Sequence, residues 1–190
     1  GEQREVTLDC PDDCVYLLQA REHERPRSLA DLDPAALFLQ VEIGDQFPYQ
    51  HEHLIMGLTF ALAKSVRADR NLKDSDLIAA LTSLTKTCEI LVNSGLHYEA
   101  PIASAAQQAV AGEVQNMLKE YREAEQKHMG YVQLRDSEVL RALVFLVRMA
   151  NGRTSGRPKS RAFVDFLLAQ FPEKPSDAAV QETGSRIVMP

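Results

Sequence analysis

Tryptophan is absent from this chain of 190 residues, and all aromatic residues together make up only 6% of it. Sandwiches and barrels draw heavily on aromatic and β-branched side chains, so the shortage favours a helical core. Alternation of apolar and polar residues over strand-length windows is missing too, and no segment repeats. Cysteine is scarce, at three residues. An odd count without a signal-peptide pattern excludes a disulfide scaffold and points to a reducing, cytoplasmic setting. No apolar run reaches the roughly 20 residues needed to cross a bilayer, which removes a membrane class. Positive charge is in deficit, with 21 Lys and Arg against 27 Asp and Glu and a formal net charge of −6. That balance argues against nucleic acid or an anionic lipid surface as partner and leaves a protein or a small molecule. Also missing are a Gly-x-Ser-x-Gly elbow, a dinucleotide fingerprint and a zinc-finger quartet, so no motif nominates an enzyme class.

What is present is an ordinary globular composition, 45% hydrophobic and 25% charged, long enough to bury a core without disulfides or metals. Pro11 with Asp12 and Asp13 reads as the first turn of a helix over 11–24, stopped by Pro26. Asp33-Pro34 restarts a short helix to about Val41, and 44–48 reads as a turn. From about Tyr49 the run HEHLIMGLTFALAKSV is apolar on nearly every side after its first turn, which predicts a central, buried helix. Asp74, Ser75 and Asp76 open an amphipathic helix with Leu77, Leu81, Leu84, Cys88, Leu91 and Val92 on its core stripe, closed by Gly95. The stretch 104–128 predicts the longest helix, with Ala106, Val110, Val114, Met117, Tyr121 and Ala124 on one face and Gly130 at its end. Asp136-Ser137-Glu138 caps another buried helix, and RAFVDFLLAQF supplies the last, stopped by Pro172. The expected architecture is all-α: one bundle domain over 1–172, of roughly six to seven helices, followed by a disordered tail over 173–190.

Candidate chemistry is thin. Cys10 and Cys14 stand four apart around a helix start, where dipole character lowers a thiol pKa and thiolates can hold zinc. In the competing reading, Cys14 packs as a small hydrophobe beside Leu17 and Leu18, and Cys10 is incidental at the cap. CPDDCVYL followed by AREHE, about fifteen residues, resembles a stretch of uncharacterised bacterial proteins in which a short cysteine-rich segment precedes a C-P-x-x-C-x-Y-L motif. The resemblance implies that Cys10 and Cys14 complete a zinc site with upstream cysteines. Gly1 reads as a cloning remnant, and no such segment precedes Cys10 in this sequence.

His51-Glu52-His53 offers two imidazoles as metal ligands, but on a helix they diverge by about 200°, and zincins need histidines four apart. Glu125-x-x-His128 has the spacing of di-iron bundles, which use the motif twice, and no second copy occurs here. The basic stretch from Arg148 onward, with Arg153, Arg157, Lys159 and Arg161, precedes a helix whose first N–H groups could hold a phosphate or carboxylate. Read as a solvated loop instead, those arginines would contribute little to stability.

These observations favour a non-enzymatic all-α domain that binds a protein partner or self-associates beside a metal-binding N-terminal element. Any cofactor would be zinc held with upstream ligands. One rival is a metal-dependent enzyme with glutamate and histidine ligands from separate helices. Another is anion or nucleic-acid binding through 148–161.

Overall fold

The structure, a computed structural model, describes residues 34–172 and Val15. The 11–24 helix and the 173–190 tail lie outside the described residues, Val15 excepted. After a 3-10 turn over Pro34–Leu37 come six α-helices: α1 (Phe47–Gln50), α2 (Glu52–Ala68), α3 (Asp74–Ser94), α4 (Ala105–Met129), α5 (Asp136–Arg153) and α6 (Ala162–Gln170). The described residues contain no strand, and the all-α expectation holds.

Local chemistry explains the boundaries. The Asp76 carboxylate accepts the Lys73 N–H at 3.1 Å, and Glu138 does the same for Arg135 at 2.8 Å, so α3 and α5 start where an acid three residues on satisfies an end donor. Ser104 Oγ accepts from Gln107 N–H at 3.2 Å and opens α4. Gly95 (φ 69°) and Gly130 (φ 81°) close α3 and α4 in the left-handed conformation that glycine enters without steric cost.

Hydrogen bonds give the helix directions. Cys88 Sγ meets the Asp136 carbonyl at 3.4 Å at one end of α3, while Asp74 meets Ser160 at the other, so α3 and α5 run antiparallel. Residues 95–104 return along α3, held where Thr87 Oγ1 accepts the Ala100 N–H and Ser83 Oγ donates to the Ala100 carbonyl. As a result α4 starts near the beginning of α3, with Gln107 Nε2 donating to Asp76, and runs parallel to it. Helix α2 lies antiparallel to α4 through the Lys64–Glu113 ion pair. At Gly57 a Cβ would stand 2.9 Å from Met117 Sδ, so the Met117 thioether of α4 rests on the bare glycine of α2. Helix α6 returns antiparallel to α2, and the Phe171 ring meets Phe60 edge-on at 5.4 Å.

The core joins Leu54, Leu58 and Leu62 to Leu77, Leu81, Val110, Val114, Leu143, Leu146, Phe163 and Leu167. Several boundary and burial expectations change. The segment expected as a helix to Val41 ends at Leu37, because Phe38 takes a left-handed φ of 51° and is buried. The 44–48 turn gives way to α1 at Phe47. Helix α2 is not buried all round, since Met56 and Phe60 on one stripe remain 50% and 49% exposed. Leu91 and Val92 fall off the core stripe of α3: Leu91 is only partly buried and Val92 is exposed. Helix α5 continues through Gly152 to Arg153, three residues into the expected loop.

Candidate functional site

The helix start expected to attract an anion already has one. Asp74, the first residue of α3, is completely buried, and its Oδ1 accepts the N–H groups of Phe163 and Val164 at 3.1 and 3.0 Å. Its Oδ2 accepts the Ser160 hydroxyl at 2.5 Å, and Ser160 Oγ in turn accepts the Ser155 N–H at 3.1 Å. A carboxylate from another helix thus occupies the positive end of α6. Sequence reading places Asp74 as a first-turn acid of its own helix, because the second helix start is distant in the chain.

The arginines behind it are dispersed among different tasks. Arg148 donates from Nε to the Leu37 carbonyl at 3.0 Å and from Nη2 to the Phe38 and Val41 carbonyls at 2.7 and 2.9 Å. Arg153 lies over the Phe166 ring, 3.7 Å from its centre. Arg157 and Lys159 are exposed on the loop. Arg161 Nη1 donates to the carbonyls of Arg70 and Leu72, each at 2.6 Å. Arg153 and Arg161 are thus engaged by other elements, although Arg153 remains exposed.

Arg161 belongs instead to a cleft between the end of α2 and α6. Val66, Arg67, Arg70, Arg161 and Leu168 line it, around a volume of about 370 Å³. The Arg67 guanidinium also donates to the Phe171 carbonyl. Arg161 keeps its Nε and Nη2 donors without a partner among the described residues, and the Arg70 side chain is exposed. Three arginines thus surround an apolar floor of Val66 and Leu168, and no acidic side chain lines the cleft among the described residues. Arg67 and Arg70 escape sequence reading because two arginines at a helix C-terminus are already accounted for by the dipole. No local signal joins them to Arg161.

Two other surface clefts lack this concentration of charge. One, of about 480 Å³, runs along α4 between Leu118 and Val132, and its Arg122 is paired with Asp136 at 2.6 Å. The other, of about 350 Å³, lies under the 95–104 return, where the Ser83 hydroxyl is spent on backbone carbonyls.

The remaining candidates divide. Cys10 and Cys14 lie outside the described residues. The His51 ring packs on Phe47 at 4.5 Å between centres, while His53 stands exposed on the outer face of α2. Glu125 uses Oε2 to accept the N–H groups of Gln133 and Leu134 at 3.0 and 2.9 Å, so it fastens the turn after α4. Among the described residues no three His, Cys, Asp or Glu side chains are grouped to hold a metal ion. Burial pushes the Cys88 thiol from the ordinary 9.0 up to about 11, with the Asp136 charge adding to the rise and Arg122 opposing it. A thiol so raised stays protonated and is a poor nucleophile.

No described helix is long and apolar enough to cross a membrane. No family model, curated protein or solved structure matches the chain.

Proposed function

We propose that this protein is a non-enzymatic binding module that receives an anionic group of its partner, a carboxylate or a phosphate, in the cleft between α2 and α6. The observation that carries this reading is the meeting of Arg67, Arg70 and Arg161 around one apolar-floored cleft. Arg70 and Arg161 bring like charges together there, and an anion with two or more oxygens relieves their repulsion through charge-assisted bonds. The internal bonds of Arg161 to the Arg70 and Leu72 carbonyls fix its guanidinium before a ligand arrives, which lowers the ordering cost of binding. The surrounding chain, at net charge −6, repels stray anions elsewhere and leaves this cleft as a local attractor. The odd cysteine count keeps the proposed setting cytoplasmic.

Titration of isotope-labelled protein with inorganic phosphate at constant ionic strength tests the reading. Saturable shifts at the Arg67, Arg70 and Arg161 side chains and their neighbours are expected, and they should vanish in Arg70→Ala. Weak shifts spread evenly over all basic residues would refute it.

A further inference from the structure

The outer face of α2 continues the arginine cleft in the other direction. Residues 53, 56, 60, 64 and 67 recur at intervals of three and four, so their side chains share one stripe of the helix. At its middle stand Met56 and Phe60, one turn apart and half exposed, although the opposite side of the same helix is buried. Phe171 rests edge-on against Phe60, and its carbonyl accepts from Arg67, so the apolar stripe and the cationic cleft share a wall. Lys64, between them, is paired with Glu113 and presents little net charge. From Met56 to Arg67 the stripe rises about 16 Å, roughly three helical turns.

The geometry points to an acidic amphipathic helix of a partner protein as the ligand of this face. Its apolar residues, one turn apart, would cover Met56 and Phe60, and a glutamate or aspartate further along would enter the cleft of Arg67, Arg70 and Arg161. This rests on the anion-binding reading of the cleft and names the molecule that carries the anion. Two features select a helix. The exposed apolar pair has the one-turn spacing that a facing helix reads. The positive charge of Arg70 and Arg161 at one end of the stripe fixes the direction in which an acidic segment lies, because reversal would leave its carboxylate beside Met56.

The test uses the full chain and fluorescently labelled synthetic peptides of about 15 residues, enough for four helical turns. One peptide places leucines at i and i+4 with glutamates two and three turns beyond. A second carries lysine at each glutamate position. Saturable binding of the first peptide alone is expected, weakened about tenfold in Met56→Glu and about tenfold in Arg70→Ala, each equivalent to one ordinary interface contact. Phosphate titration runs beside it. Met56→Glu should leave phosphate binding intact, which separates the stripe from the cleft. If phosphate binds and the acidic peptide does not, the helix assignment fails while the anion site stands. If neither binds, the anion site fails as well. Equal binding of both peptides, displacement of the acidic peptide by dodecanoate, or dimerisation of the chain through Met56 without peptide would each overturn the assignment.

Discussion

Removing the Asp74 carboxylate strips three donors of their acceptor at once: the N–H groups of Phe163 and Val164 and the hydroxyl of Ser160. A buried donor left unsatisfied costs about 1–3 kcal/mol, so Asp74→Ala should lower the stability by about 3 kcal/mol or more. Asp74→Asn keeps one oxygen for the two backbone donors and should fall between that variant and the original chain. Urea unfolding midpoints decide the order, and a loss below about 0.5 kcal/mol in the alanine variant would show that the network is expendable. Arg148 poses the same question for three carbonyls. Its planar fork reaches the Leu37, Phe38 and Val41 oxygens together and holds Phe38 in a conformation that costs a non-glycine residue about 1–3 kcal/mol. Arg148→Lys keeps the charge but loses the fork, and should destabilise by about 1–3 kcal/mol in the same assay.

Within α3 the apolar stripe is continuous in sequence but not in burial. Leu81 is fully buried and Leu84 nearly so, whereas Leu91, in the last turn, is only partly buried. Leu81→Ala should therefore cost about 2–5 kcal/mol, and Leu91→Ala less than about 1 kcal/mol. Equal losses would mean that the end of α3 is covered. Helix α2 teaches the converse. Its leucines and alanines alone do not reveal which side faces out, because the apolar run HLIMGLTFALA surrounds the axis almost evenly. Met56 and Phe60 are exposed because α4, α5 and α6 cover the other sides, and three helices cannot enclose a fourth completely. The helix limits read well from caps and glycines at α3, α4 and α5, where local bonds close the ends. They read poorly at 34–41 and after Ala150, where Arg148 and packing, not local propensity, set the course of the chain.

For the whole molecule, the pH dependence of unfolding includes a recognisable contribution from Cys88. Its folded-state value of about 11 lies above the ordinary 9.0. The thiol's contribution to stability is full below pH 9 and is lost as pH rises from 9 to about 11, because over that interval the unfolded chain releases a proton that the folded chain retains. Unfolding midpoints measured across this range should fall more steeply for the original chain than for Cys88→Ala. Parallel slopes would show that the thiol titrates alike in both states. Among the described residues no buried side-chain nitrogen or oxygen lacks a hydrogen-bond partner: Ser65, Thr85 and Asn151 bond to carbonyls of their own helices, while Asp74 and Ser160 are satisfied across the fold.

Fold class, helix order and most of the core follow from periodicity and caps, since a helix is closed by bonds within a few residues and its apolar face is written at intervals of three and four. The long-range groupings are not written that way. Asp74 lies 86 residues from Ser160, and Arg161 lies 91 residues from Arg70, yet each pair is in hydrogen-bond contact. No local pattern distinguishes Asp74 from Asp76, or Arg161 from Arg157. What separates them is which helix end packs against which, a consequence of burying all the apolar stripes at once, and that packing turned the expected anion site at α6 into an internal bond and gathered three arginines beside it.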